Sequence, residues 1–318
     1  MRKNRSSAAS SSLAEAKSQS GLGRRAKPSH GTRRSKQRPG PPTGLQVVAT
    51  PIGNAQDITV RALEVLGWVD AIACEDTRVT AKLLAIHGIS KPLLAYHEHN
   101  AEKARPEIIW RLKSGETVAL VSDAGTPLIS DPGYKLVKAC IEEDIPVTPL
   151  PGASSVLAAL VASGLPTDRF LFAGFLPPKT TGRRRVLGEL AGVPATLVIM
   201  ESAKRLGPSL TDMAAVLGER DAVVAREMTK MFESIRRGAL ADLARHYIET
   251  GPPKGEVVIV VGPPRPAAAP AAADVDRELK RALKNMTLRD AVDGVAHSTG
   301  IARREVYARA LQLKKAGA

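Results

Sequence analysis

Cysteine, metal-ligand spacing and long apolar runs are all scarce in this chain, and each scarcity excludes something. Only Cys74 and Cys140 occur in 318 residues, both within apolar stretches. They read as reduced core residues of a cytoplasmic protein rather than as a disulfide. The six histidines and two cysteines are scattered, so no metal site is expected. His97 and His99 are one residue apart and would share a strand face, which favours a structural role for at least one of them. No apolar run is long enough to span a bilayer, and the N-terminus lacks the apolar segment of a secretory signal. No G-x-G-x-x-G follows the first strand and no G-x-x-x-x-G-K-[ST] occurs, which argues against a common dinucleotide site or P-loop. Ser154 and Ser155 lie outside a G-x-S-x-G frame, against a hydrolase nucleophile. There is no internal repeat.

Positive charge is abundant but uneven. The net charge is +14, yet residues 1–43 carry 11 Lys/Arg against the single acid Glu15, and residues 274–318 carry 10 against 6 acids. The middle is close to neutral. The two ends therefore have the charge to meet an acidic polymer, or are simply solvated arms, while the central fold carries no such signature. Residues 1–43 are rich in Ser, Gly, Pro, Lys and Arg, with only Met1, Leu13 and Leu22 apolar apart from alanines. Such a segment buries too little to offset its ordering entropy, and a disordered basic extension is expected.

The centre of the chain is organised around Thr117 to Gly133, TVALVSDAGTPLISDPG. The apolar run Val118–Val121 reads as a buried strand, followed by a tight loop and a helix from about Tyr134 to Glu143. Short strands are likewise expected at 45–50, 71–74, 93–96 and 147–150, with helices from about 59, over 101–113, and after Ser155. The alternation implies an α/β fold with a mainly parallel sheet over residues 44–164. After Gly164 a second α/β domain extends to 262, with strands near 170–173, 196–200, 222–225 and 257–261. Residues 263–273 read as a Pro/Ala linker, and 274–318 as three short helices forming a basic module.

Polar residues follow every strand of the first domain: Asn54, then Glu75-Asp76-Thr77-Arg78, His99-Asn100, Ser122-Asp123 and Ser154-Ser155. Parallel strands would bring all five loops to one sheet edge, where ligands of open α/β sheets bind. Gly125 would let backbone approach a ligand closely, and Asp123 can accept hydrogen bonds. Arg183-Arg184-Arg185 could fork onto phosphate oxygens or form a solvated helix start. Arg303, Arg304, Arg309, Lys314 and Lys315 line the last helix of a unit that has the outline of a helix-turn-helix.

Several of these stretches resemble the bacterial ribosomal small-subunit RNA methyltransferase I family, a tetrapyrrole-methylase-like class of S-adenosylmethionine (SAM) enzymes. The matching pieces are ATPIGN (Ala49–Asn54), DITVRALEVL (Asp57–Leu66), CEDTR (Cys74–Arg78), HEHN (His97–Asn100), VSDAGTPLISDPG (Val121–Gly133), PLPGASS (Pro149–Ser155), GLPTDRFLFAGFLP (Gly164–Pro177) and GEVVIVV (Gly255–Val261). They keep their order from about residue 45 to 262. One departure is MESAKR at 200–205, where the family commonly reads Y-E-S-x-H-R; Glu201, Ser202 and Arg205 are retained.

The resemblance implies two α/β domains with a SAM cleft between them, and 2′-O-methylation of a cytidine in the decoding region of 16S rRNA, within the 30S subunit, by a homodimer. Pro51, Asp123, Ala124, Gly125, Thr126, Ser154 and Ser155 would line the SAM pocket, with Met200 and Ala225 on the adenosyl side. Methyl transfer to a hydroxyl needs an aligned donor and a proton acceptor. Glu75, Asp76, Arg78, His99 and Asn100 are the candidates for the substrate side, an acid or His99 taking the proton. Arg78 would hold phosphate or ribose, or else pair with Glu75 or Asp76. Arg183, Arg184, Arg185, Arg303 and Arg304 would meet RNA. The alternatives are a tetrapyrrole small-molecule methylase and a non-catalytic RNA-binding assembly factor.

Overall fold

A computed structural model describes residues 43–265 and 272–316. Its first sheet contains β1 (Leu45–Val48), β2 (Ala71–Cys74), β3 (Leu93–Ala95), β4 (Val118–Val121) and β5 (Val147–Leu150), in the order β3-β2-β4-β1-β5. Every pairing is parallel. The crossovers are α1 (Val60–Trp68), α2 (Thr77–Ile86), α3 (Ala101–Lys113) and α4 (Tyr134–Glu142). Because helices cover both faces, β2 and β4 are buried at every position, as their unbroken apolar runs require. One face packs Val48, Leu66, Ile72 and Val121 together. The other packs Leu45, Tyr96, Ile108, Leu120 and Leu136. All five carboxyl ends consequently reach one edge.

The residue pattern predicts no helix over Thr77–Ile86, yet α2 forms there. Asp76 starts it: the carboxylate accepts the Arg78 backbone N–H at 2.8 Å, an N-cap that satisfies an otherwise orphan donor. What reads as a polar loop is thus half loop and half helix start.

After α5 (Ser155–Ser163) the chain turns at Gly164 and enters a second sheet. Its strands are β6 (Phe170–Phe175), β7 (Thr196–Ser202), β8 (Asp221–Arg226), β9 (Ser234–Ala239) and β10 (Glu256–Val261), ordered β6-β7-β10-β8-β9. Only β6 and β7 run parallel; the other three pairings are antiparallel. β9 has no counterpart in the sequence-based expectation. It is an edge strand, and its charged Arg236 and Arg237 obscure the apolar alternation while also blunting the edge against further pairing.

Helices α6 (Thr180–Leu190), α7 (Leu206–Leu217) and α8 (Leu240–Glu249) cover one face of this sheet, with Leu187, Leu206, Leu210 and Leu243 packed against Leu197, Ile199, Val224 and Ile259. The other face is covered by α5. Its Val156, Ala159 and Leu160 pack on Val198, Val223, Ala225, Val258 and Val260. Each buried Val or Leu among them contributes roughly 1.5–3 kcal/mol. By packing, therefore, α5 belongs with the second sheet, although the chain reaches it before the turn at Gly164.

The last described segment holds α9 (Ala272–Ala282), α10 (Leu288–Thr299) and α11 (Arg303–Ala316) around their own small core of Val275, Leu279, Val292, Val295, Val306 and Ala310. The expected disordered extension and most of the Pro/Ala linker lie outside the described residues. Among the described residues no helix is long and apolar enough to cross a membrane, and no cluster of His, Cys, Asp and Glu could hold a metal.

Candidate active site

Hydrogen bonds tie four of the polar loops to one another. Thr50 and Gly125 exchange both backbone bonds, at 2.8 and 3.0 Å, and the Thr50 hydroxyl donates to the Ser122 carbonyl at 3.0 Å. Gly125 sits at φ +82°, a conformation that L side chains rarely adopt. The Thr126 hydroxyl reaches the Ala153 carbonyl at 3.1 Å, joining the β5 exit. The Asp76 N–H donates to Asp123 Oδ1 at 3.0 Å, joining the β2 exit. The loop after β3 stays apart. Its Asn100 side chain accepts from the His97 N–H at 2.8 Å and donates to the Ala95 carbonyl at 2.9 Å, so it closes its own turn.

Above these loops lies a cavity of about 430 Å³ between the two sheets. Asp123, Ala124, Gly125, Thr126, Ser154 and Ser155 line it from the first-sheet side, and Met200 and Ala225 from the second. Pro51 does not line it. It is buried beside the cavity, and its neighbour Ile52 takes that place, against Gly125. Ser154 also N-caps α5, accepting the Leu157 N–H at 3.4 Å. Ile129, Ser130, Asp131, Phe175, Glu201, Met228 and Glu256 line the cavity too, and sequence reasoning assigned none of them. Asp131 was hidden because Asp-Pro-Gly reads as a turn; its place in the same loop as Asp123 was the available signal.

Asn54 does not join the other loop ends at the cavity. Its side chain accepts the Gln56 N–H at 3.0 Å, and its own N–H donates to Thr229 Oγ1 at 3.1 Å. A Cβ on Gly53 would lie 2.4 Å from Lys230 Cγ and 2.8 Å from Thr229 Oγ1. The glycine of the PIGN loop is therefore where the second unit's 227–233 loop docks.

The proposed substrate-side residues differ in character. Arg78 holds Asp76 through two side-chain bonds, at 3.0 and 2.6 Å. That guanidinium keeps the Asp76 carboxyl down at about 2, which makes it a weak base. Burial, reinforced by neighbouring carboxylates, pushes Glu75 and Asp123 above the usual carboxylate range. His99 is exposed and, like Asn100, lies outside the cavity lining. Asn100 is committed to its turn and is unsuited to a substrate role.

The arginine triplet must be divided. Arg183 is 3% exposed and bonded to Asp212, the Pro178 carbonyl and Thr180, so it cannot meet RNA. Arg184 shares Asp212 at 2.6 Å with half its side chain outside, and Arg185 is 76% exposed. In α11, Arg303 is paired with Asp293, and Arg304 is exposed. The retained Glu201 and Ser202 of the MESAKR stretch line the cavity, and the stretch also holds its own shape: buried Glu201 accepts from Arg205 at 2.6 Å, Ser209 at 2.5 Å and the Ser202 N–H at 2.7 Å.

The family described as Tetrapyrrole (Corrin/Porphyrin) Methylases matches residues 44–244. A second family, described as the RsmI C-terminal HTH domain, matches residues 269–314. Ribosomal RNA small subunit methyltransferase I of Mesorhizobium japonicum is 52% identical over 271 residues, covering 85% of this chain and 92% of the relative. The Erythrobacter litoralis protein of the same name is also 52% identical over 271 residues, covering 85% and 95%. A crystal structure of diphthine synthase shares the fold at a TM-score of 0.54 and 19% identity, over 69% of this chain and 89% of that one.

Fold and match together define a methyltransferase of the tetrapyrrole-methylase class. Within that class, the chain belongs to the ribosomal RNA small subunit methyltransferase I family.

Proposed function

We propose that the cavity binds SAM and that the protein methylates the 2′-hydroxyl of a cytidine in 16S rRNA, on the 30S subunit. The observation that carries the reading is the two-sided character of the cavity. A volume of about 430 Å³ is that of a small-molecule pocket. Ile129, Phe175, Met200, Met228 and Val258 offer apolar surface to an adenosyl group, while Asp123, Thr126 and Ser154 offer polar groups to the amino-acid end. Among the described residues no Lys or Arg forms an ion pair with Asp123, the through-space pull of Arg78 notwithstanding, so this carboxylate fits a cationic sulfur. SAM, when bound, supplies an electrophilic methyl group.

Ala124, Gly125 and Ser155 shape the wall at which the donor is held, and Ala225 keeps it narrow. Glu75, Asp76 and Arg78 stand beside Asp123 and would face the ribose; exposed His99 is within the same family motif set and would meet RNA rather than donor. Phosphate contacts fall to Arg184, Arg185 and Arg304. Arg277, Lys280 and Arg281 on α9, with Lys284 just past its end, add a basic surface that lines a shallow concavity together with Asp276.

The test offers labelled SAM with 30S subunits, naked 16S rRNA and a porphyrin precursor, followed by nucleoside mass spectrometry. The expected label is in 2′-O-methylcytidine from 30S subunits. Label in the porphyrin, or in none of the three, would sink the proposal. We further infer a cytoplasmic homodimer, for which the exposed apolar side chains Leu157 and Val161 on α5 provide unpartnered surface. Sedimentation equilibrium returning a monomer at micromolar concentration would remove that part.

A further inference from the structure

We propose that Asp131 is the group that receives the proton of the attacking hydroxyl. This rests on the reading of the cavity as a methyl-donor site for ribose methylation. Asp131 lines the cavity at the end of a loop held in an unusual shape. Leu128 and Ser130, neither of them glycine, both lie in the left-handed region, at φ 74° and 64°. Such conformations persist where the surroundings over-determine them, and they concentrate at sites of function. Here the Leu128 side chain is anchored in the first sheet's core. On the other side, Ser130 Oγ reaches to 3.7 Å from the position of a Cβ on Gly174, in β6 of the second sheet. The loop therefore spans the cleft and presents Asp131 inward.

The surroundings suit a base. The Ser122 hydroxyl, which donates at 3.3 and 3.4 Å to the Ala124 and Gly125 carbonyls, lies close enough to the carboxylate to favour its charged form, while Glu75 from the β2 exit, Asp123 from the β4 exit and Glu256 from β10 face it as like charges. Glu256 is partly neutralised by Lys230 at 3.0 Å. Burial, offset in part by Ser122 and reinforced by the three acids, pushes the Asp131 carboxyl up to about 6. An acceptor poised there is ionised at neutral pH yet far more basic than an ordinary carboxylate. The other candidates are worse placed: Asp76 is locked by Arg78, one Asp123 oxygen is occupied by the Asp76 amide, and Glu75 and His99 lie outside the cavity lining.

In the step itself, a lone pair of the hydroxyl oxygen forms the new bond to the methyl carbon. The carbon–sulfur bond breaks with its electrons passing to sulfur, which becomes a neutral thioether. The hydroxyl proton moves to an Asp131 carboxylate oxygen and is later lost to solvent.

The test compares the full-length wild type with Asp131→Asn and Asp131→Glu by three measurements. These are SAM affinity by calorimetry, single-turnover methylation of 30S subunits at saturating SAM from pH 5 to 9, and carboxyl NMR of aspartate-labelled protein. In the wild type, a resonance titrating near 6 should coincide with the acid limb of the rate. In Asp131→Asn, SAM affinity should stay within about threefold while the rate falls by about 100-fold or more, and both resonance and limb should vanish. Asp131→Glu should recover part of the rate with a displaced limb, which guards against loss of folding in the asparagine variant. A rate in Asp131→Asn within tenfold of wild type, an unaltered limb, or a loss of SAM affinity as large as the loss of rate would overturn the proposal. Failure of the wild type to methylate any ribose would instead overturn the reading of the cavity, whatever the NMR titration shows.

Discussion

The two sheets differ in how many of the acids near the cavity they pair. Around the second sheet, cavity-lining acids are paired: Glu201 with Arg205, and Glu256 with Lys230. Deeper in, Asp212 is held by both Arg183 and Arg184. Around the first sheet's carboxyl edge Asp76 is paired with Arg78, but Glu75, Asp123 and Asp131 form no ion pair among the described residues, and burial together with neighbouring acids pushes their carboxyls up against the pull of His97 and Arg78. The difference follows from topology. Five parallel strands deliver five loop starts to one edge, and concentrate polar groups there whether or not they repel. A mostly antiparallel sheet has no such edge, and it supplies an apolar wall with neutralised acids. On the proposed function, the first unit would supply the chemistry and the second the grip.

That contrast can be broken at several points. The largest effect is expected from Arg183→Ala. It strands Asp212 in a buried site with only half-exposed Arg184 beside it, and should cost about 3 kcal/mol in urea unfolding while leaving SAM affinity unchanged. Loss of SAM binding without loss of stability would erase the proposed division. Gly53→Ala is next. A Cβ there meets Lys230 and Thr229, so the two units must separate slightly, at about 1–2 kcal/mol, and donor affinity should weaken with it. Calorimetry showing wild-type affinity would mean that the 53–230 contact does not set the cleft.

The smallest effect is expected from Lys230→Met. It leaves Glu256 uncompensated near Asp131, so the Asp131 carboxyl should rise further, by less than about one pH unit in the NMR titration. The sign for stability follows. Folded Asp131 keeps its proton up to about 6, whereas an unfolded chain releases it near 4. Stability therefore falls as pH rises through that window, and Lys230→Met should widen it upward.

Much of this was legible in the sequence because unbroken apolar runs followed by polar loops are what buried parallel strands require. The loops at Gly125, Thr126 and Ser154 could be placed at one edge from pattern alone. What was not legible depended on partners distant along the chain. Nothing near Arg183 announces that Asp212 will bury it, and nothing in Glu75–Arg78 separates a helix cap from a substrate contact. β9 escaped because a charged edge strand lacks the alternation that marks its neighbours. Asp131 escaped because a turn signature and a site residue can be the same three letters.

The position of α5 carries a further consequence. Its apolar face is spent on a sheet that is synthesised after it, so a nascent chain that has emerged only as far as residue 164 carries Val156 and Leu160 with nothing yet to cover them. The first sheet's two cores are complete before α5, but α5 is not: translation must run through β10, the central strand beneath that helix, before the cleft between the halves has both of its walls.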